Sequence, residues 1–248
     1  MTNPESFESA TNSVTDWELA EETLALSSVF RVTYLYGPAG IGKTYTAMRA
    51  GLNGRGVYAL TLTQETPSDE VRGHYLPTEA GGLAWHDGVL IRAMREGARV
   101  VINEISHASN DVESFLYPVL ESPETAAVTL PTGETVRPAD GFNVVLTDNF
   151  PPDQLKAALR DRFDSVLHIA QPHPKAVEQI DDRFRPMAVK LFAADLGHDD
   201  DRRVSIRGWL RLQAASKAMQ SDARAFAACF GRAKGGRLYD AWLLMQAK

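Results

Sequence analysis

The chain is short of cysteine, of positive charge at its start and of long apolar runs. Cys229 is the only cysteine in 248 residues, so no disulfide forms within the chain. Set in the apolar helical pattern AFAACF, it reads as a small core residue rather than a nucleophile. No stretch approaches the roughly 20 consecutive apolar residues of a membrane helix. The opening MTNPESFESATNS has no basic region followed by an apolar core and does not read as a secretory signal. These absences together predict a reducing, cytoplasmic setting. Lys and Arg are missing from residues 1–30, where the six acids are Glu5, Glu8, Asp16, Glu18, Glu21 and Glu22. The net charge is −6, so the rest of the chain is balanced. A balanced body with an acidic start lacks the electrostatic footprint of a nucleic-acid binder.

What is present is ordinary globular material, 44% hydrophobic and 23% charged, long enough for one large or two small domains. Residues 1–15 are polar and read as loosely ordered, and Asp16 is a candidate cap for WELAEETLAL. Then β-rich runs alternate with helical patterns: RVTYLYG, VYALTLT, RVVINEI, GFNVVLTDN and SVLHIAQP as strands, and VLIRAMREG, DVESFLYPVLES and QLKAALRDRF as helices. DEVRGHYLPTEAGGLAWHDG reads as a loop with short strands in it, and VTLPTGETVRP as a hairpin around Thr132-Gly133. This alternation predicts a parallel sheet with helices on both faces. After Pro174 only helical periodicity remains. Pro186 starts or kinks a helix, Ser205 and Ser221 or Asp222 are candidate caps, and Gly235-Gly236 is a predicted break. The stripe Trp209, Leu210, Leu212, Ala215 and Met219 reads as core. The run DLGHDDDRR reads as a solvated loop, its adjacent aspartates lacking the spacing of a metal site. The expected organisation is an acidic, flexible segment over 1–24, an α/β nucleotide-binding domain over 25–172 and a helical lid over 173–248.

Two motifs carry chemistry. Gly37-Pro38-Ala39-Gly40-Ile41-Gly42-Lys43-Thr44 fits G-x-x-x-x-G-K-[ST] and lies between an expected strand and an expected helix. Glycines let successive backbone N–H groups curl round a phosphate, and the helix that follows aims its positive end at the anion. Lys43 brings a charge to the outer phosphates, and the Thr44 hydroxyl is a candidate Mg²⁺ ligand. Tyr45 completes the expected ATP-binding set. The second motif is the strand VVI delivering Asn103 and Glu104. Glu104 is the candidate base that orients the attacking water. The position of Asn103 normally holds an acid that accepts from metal-bound water. An Asn oxygen still accepts such a bond without the charge, so weaker Mg²⁺ retention is expected rather than lost ATP binding.

The ordered set GPAGIGKT, GGLAWHDGVLIRAMREGARVVINEISHAS, VVLTDN, ALRDRF and VSIRG resembles the MoxR-like and dynein-related branch of the AAA+ ATPases over roughly residues 30–245. The phosphate loop is common to many families, whereas W-x-D-G-x-L-x-x-A-x-x-x-G before the acidic strand is far more specific. The resemblance implies a P-loop AAA+ three-layer core with a small all-α lid. It implies that Asn149 is the sensor-1 residue, that Arg162 is the arginine finger reaching a neighbouring subunit's ATP with Arg160 the competing choice, and that Arg207 is sensor 2 in the lid. A planar, permanently charged guanidinium suits both arginine roles. The resemblance also implies a ring, usually a hexamer, a protein client, and a partner that often carries a von Willebrand A domain. Tyr75, Leu76 and Trp85 are the candidate client contacts, core packing being the competing role for Trp85. His74 and His86 read as polar loop residues, since no acid or Cys lies at ligand spacing. Asn103 in place of the family's usual Asp keeps a second possibility open, a nucleotide-gated scaffold with little hydrolysis. Two further alternatives stay open: a motor on nucleic acid, against which the charge balance counts, and a simple phosphotransferase, over which the paired finger and sensor-2 arginines favour a ring.

Overall fold

Apolar runs bounded by turn residues become the strands, and the punctuation between them sets the order. The protein is described here by a computed structural model, covering residues 14–194 and 203–246. It divides into two compact units. One holds the residues up to Gly37 and from Lys43 to Ile169; the other holds Pro38–Gly42 and the residues from Ala170 onward. The first unit runs α1 (Asp16–Ala25), β1 (Val32–Tyr36), α2 (Lys43–Ala47), β2 (Val57–Thr61), α3 (Ser68–Arg72), β3 (Gly73–Pro77), β4 (Leu83–Asp87), α4 (Val89–Glu96), β5 (Arg99–Asn103), α5 (Asn110–Leu120), β6 (Val128–Thr129), β7 (Thr135–Val136), β8 (Asn143–Asp148), α6 (Ala157–Arg160) and β9 (Ser165–His168). The second runs α7 (Pro174–Val177), α8 (Arg185–Ala193), α9 (Ile206–Met219), α10 (Asp222–Phe230) and α11 (Arg232–Gln246).

Five strands form one sheet in the order β2-β5-β8-β1-β9. Every pairing in it is parallel. The central strands β1, β5 and β8 are buried almost throughout, as a sheet covered on both faces requires. Val100, Ile102, Val144 and Leu146 meet Leu90, Ile91 and Met94 of α4 and Val112, Leu116 and Val119 of α5 in one core. Registers β5–β8 and β8–β1 bring Asn103 opposite Thr147 and Asp148 opposite Tyr36 at the carboxyl ends. Ligand crevices of open α/β sheets lie at that edge.

Two antiparallel hairpins interrupt the alternation. β3 pairs with β4 in a full ladder where a loop with short strands is expected, placing His74 opposite His86. β6 pairs with β7 around Gly133, whose φ of +84° suits the turn. Arg95 of α4 ties both hairpins down: its Nε donates to Asp87 Oδ2 at 2.7 Å, and its terminal nitrogens reach the Glu134 carboxylate at 2.5 and 2.8 Å.

In the second unit, Phe184, Trp209, Phe226, Leu238 and Trp242 form the core. Ser205 and Ser221 are the caps of α9 and α10, accepting from the N–H groups of Gly208 and Arg224. Pro186 stands in the first turn of α8.

Several elements depart from the sequence reading. Thr15, not Asp16, caps α1, forming a reciprocal capping box with Glu18. α1 itself lies largely within the segment expected to be flexible, and Trp17, Ala20 and Leu24 are buried. No break occurs at Gly235-Gly236, because α11 runs straight through. A Cβ on Gly235 would stand 2.3 Å from Phe226 O, so this glycine serves close helix packing, not termination. The helix expected over 154–163 shrinks to the four residues of α6, since Pro151-Pro152 begin a separate 3-10 turn. DLGHDDDRR lies outside the described residues apart from Arg203.

Candidate functional site

Asn103, Glu104 and Asn149 stand where strands end. Lys43 opens α2 and is only 7% exposed. Its ammonium donates to Gly37 O at 2.7 Å and to Asn149 Oδ1 at 3.1 Å. Asn149 follows β8 directly, and its amide donates to the Glu104 carboxylate at 3.3 and 3.4 Å. Lys43, Asn149 and Glu104 thus form one continuous polar chain.

Glu104 has φ +57° and ψ +48°, the left-handed region that a non-glycine residue enters at a cost. The turn is braced on both sides. Glu104 N–H donates to Thr147 O at 2.8 Å. Asp148, 1% exposed, accepts the N–H groups of Ser106 and Asn149, both at 2.7 Å. One buried carboxylate therefore fixes the residues that follow Glu104 and the backbone that carries Asn149. Nearby, burial and then the Asp148 charge push the Tyr34 hydroxyl above its ordinary range, and it donates to Phe150 O at 2.7 Å.

Asn103 is committed at both ends of its amide. Its Oδ1 lies 2.6 Å from Thr44 Oγ1 and 2.9 Å from Thr147 Oγ1. Its Nδ2 donates to Leu60 O at 3.1 Å. Leu60 O is an acceptor only, which fixes the amide orientation. An aspartate at 103 would set a carboxylate oxygen against that carbonyl.

The glycines of the loop are required by space. Gly37 has φ +146°, and a Cβ there would stand 2.0 Å from Ile169 O. Gly40 has φ +73°, and a Cβ there would stand 2.6 Å from Ser205 Cβ. Gly42 has φ +117°. Within the second unit, Ser205 thus packs on Gly40 and also caps α9, the helix that carries Arg207. Arg207 is exposed. Tyr45 is 59% exposed with the Arg49 guanidinium 4.0 Å over its ring.

The two candidate finger arginines differ sharply. Arg162 lies just beyond α6 and is bound within its own chain: to Tyr117 O at 3.2 Å, to Ala158 O at 2.5 Å and to the Glu121 carboxylate, with its charge 5.0 Å over the Tyr117 ring. Arg160 is exposed, with no side-chain hydrogen bond or ion pair among the described residues. On the β3–β4 hairpin, Tyr75, Leu76 and Leu83 are exposed at 43, 39 and 69%. Trp85 is partly buried against the core, edge-on to Tyr75, with Nε1–H donating to Asp87 at 2.8 Å. His74 and His86 are exposed, and no group of three or more His, Cys, Asp or Glu fit to hold a metal occurs among the described residues.

Thr147, Asp148 and Arg99 were not singled out in the sequence. The polar ending of VVLTDN is the signal for the first two, because polar residues closing a buried strand face either its neighbours or the crevice. Arg99 carried the opposite signal, a charge opening an apolar strand.

A parallel sheet with a glycine-rich loop after its first strand, and polar side chains gathered at the strand ends, defines the P-loop ATPase fold. The chain belongs to the AAA domain (dynein-related subfamily), whose family model matches residues 33–163, the MoxR-like and dynein-related branch expected from the motif order. Protein NorQ of Paracoccus denitrificans is 31% identical over 178 residues, 69% of this chain and 60% of NorQ. The denitrification regulatory protein NirQ of Pseudomonas aeruginosa is 31% identical over 138 residues, 52% of this chain and 51% of NirQ. The chain thus spans between half and two thirds of these curated relatives. A crystal structure from Cytophaga hutchinsonii superposes with a TM-score of 0.51 at 15% identity, covering 83% of this chain and 75% of that one, which supports the fold alone. Among the described residues no helix is long and apolar enough to cross a membrane.

Proposed function

We propose that this protein binds and hydrolyses ATP as a MoxR-like AAA+ ring subunit and uses the cycle to remodel or activate a protein client. The observation that carries the reading is the hydrogen-bonded chain from Lys43 through Asn149 to Glu104, set at the strand ends where the phosphate loop begins and closes. The residues present fit a nucleotide with Mg²⁺. Positive-φ glycines leave no Cβ between phosphate and backbone amides. Thr44 Oγ1 and Asn103 Oδ1 are hard oxygen donors held side by side. A bound Mg²⁺ would supply charge neutralisation on the phosphate oxygens.

The roles follow from chemistry. Phosphate oxygens compete with Gly37 O and Asn149 Oδ1 for the Lys43 ammonium. Asn149, released from Lys43, offers its amide to the phosphate. Glu104 then turns from Asn149 to the attacking water and accepts its proton. Arg207 meets the nucleotide of its own subunit as the lid closes. An arginine from a neighbouring subunit completes the site. Arg160 is the better placed of the pair for that step, because Arg162 is already held by Glu121 and Tyr117. The hexameric ring, a von Willebrand A domain partner and a cytoplasmic location belong to the same proposal. The exposed hairpin residues Tyr75, Leu76 and Leu83 are its candidate client contacts.

The experiment is ATP-dependent assembly measured with phosphate release. Wild type should form a ring with ATP and turn it over many times, while Lys43→Ala by itself should neither bind ATP nor assemble, entering rings only beside subunits that bind ATP. A wild-type protein that stays single with ATP and releases no phosphate would end the reading. The neutral Asn103 favours one alternative, a nucleotide-gated scaffold, which assembles with ATP but hydrolyses little of it.

A further inference from the structure

Arg99 opens β5, is fully buried, and has no carboxylate partner among the described residues. Four of its five N–H donors are nevertheless bonded. Nε donates to Asn143 Oδ1 at 2.7 Å, one terminal nitrogen to Ala47 O at 3.0 Å and to Ala50 O, and the other to Leu24 O at 2.8 Å. Ala47 ends α2, Ala50 lies in the turn that continues it, and Leu24 is in the last turn of α1. The charge is therefore balanced by unsatisfied carbonyls at two helix ends, where a cation is favoured. Burial, and then the charge of Arg55, pull the Arg99 guanidinium down to about 10.

A buried, unpaired guanidinium is an expensive way to fill a strand position, and an apolar side chain of similar volume often does as well for stability. What an apolar side chain does not do is hold α2. The same strand that grips the C-terminal end of α2 through Arg99 also grips its N-terminal end, where Asn103 Oδ1 meets Thr44 Oγ1 at 2.6 Å. Gly51 closes the far side. At φ +65° it brings its backbone so near α1 that a Cβ would stand 2.4 Å from Ala25 Cα.

We propose that Arg99 is a positioning residue for phosphate binding: by holding the carbonyl end of α2 it fixes where Lys43 and Thr44 stand relative to Asn103. The proposal rests on the nucleotide-binding reading above and adds a residue remote from the phosphates that controls how well they are held. It acts at the base of the sheet, four residues along β5 from the site.

The test uses the full chain with Arg99→Met and Arg99→Lys. Affinity for a fluorescent ATP analogue, KM and kcat for ATP, and nucleotide-free amide exchange at residues 43–51 are measured well below each unfolding midpoint. Arg99→Met should bind the analogue about tenfold more weakly, the scale expected of a slightly misplaced binding group, with KM rising in step and kcat changing less. Exchange at 43–51 should quicken while residues 144–146 stay protected. Arg99→Lys keeps the charge but not the fork and should fall between. If Arg99→Met does not fold, Arg99→Lys carries the same readouts. Affinity within about twofold of wild type in a folded variant overturns the proposal, leaving Arg99 a purely structural residue. So does lost affinity with exchange at 43–51 unchanged. Should wild type itself bind no analogue, the nucleotide reading falls, while the exchange data still decide whether Arg99 holds α2.

Discussion

Position 103 shows how one atom's bonding partner decides a residue type. An aspartate would bring charge to Thr44 but lose the donor that meets Leu60 O. Asn103→Asp should therefore destabilise the nucleotide-free protein by about 1–3 kcal/mol, the usual cost of an unsatisfied buried partner. It should also lower the Mg²⁺ concentration needed for turnover. Thermal unfolding without nucleotide, and ATP turnover titrated with Mg²⁺, check the two halves. An unchanged melting midpoint, Mg²⁺ requirement and rate would contradict the role given to the amide. The Asn-Glu ending of VVINE was legible as a site in the sequence. The reason for Asn was not, because Leu60 lies on a strand 43 residues earlier in the chain.

At the scale of elements, glycines separate what the sequence shows from what it hides. Gly97 ends α4 in the left-handed region at φ +64°, as a glycine after a helical pattern suggests. Gly235 and Gly236 look like the same signal, yet both lie inside α11. The difference is tertiary: α10 crosses at Gly235, and nothing lies within 4 Å of a Cβ on Gly236. Gly235→Ala should cost about 1–3 kcal/mol through overpacking against Phe226 O. Gly236→Ala should stabilise by about 0.5–1 kcal/mol through helix propensity. Chemical denaturation of the two variants measures both signs, and equal effects would refute the packing explanation. The buried strands were plain in the sequence because they are continuous apolar runs. The β3–β4 ladder was only half legible, since its residues are largely exposed and follow no single-face pattern. The helix expected over 154–163 is too long because QLKAALRDRF keeps a helical composition while Pro151-Pro152 and the turn at Arg162 leave room for only the four residues of α6.

The two hairpins also behave as elements with a titratable tie. Hydrogen bonding from Arg95, and then its charge, hold the Glu134 carboxyl below its ordinary range. A carboxyl lowered on folding stabilises above its unfolded pKa and loses that effect as pH falls through the folded value. The tie should be intact above about pH 4.3 and weaken progressively below it. Amide exchange across residues 128–136, taken relative to the intrinsic rate at each pH, should quicken in acid for wild type. In Glu134→Gln it should be faster already at neutral pH and change less. Identical pH profiles for the two proteins would show that Arg95 does not hold the hairpin.

For the whole molecule the question is whether sites are shared between copies. The fold and the family were legible from motif order, but assembly leaves no periodic trace in a chain. The arginines at 160 and 162 carry that information, and their partners differ. Mixing Lys43→Ala subunits with Arg160→Ala subunits should recover part of the ATPase activity, because each lesion spares the other's half of a shared site. The same mixture made with Arg162→Ala should recover less, since that side chain braces Glu121 and Tyr117 in its own chain. No recovery in either mixture would remove the trans arginine from the account.

In the proposed reaction Lys43 holds a triphosphate while Glu104 takes the proton of the water that attacks it. Multiple-turnover phosphate release by wild type and Glu104→Gln, with ATP affinity measured on the same samples, tests it directly. The account predicts unchanged ATP affinity and release slowed by a factor on the order of 100 or more in the variant, the scale of a lost general base. Equal release rates, or a wild type that takes up no ATP, would contradict it.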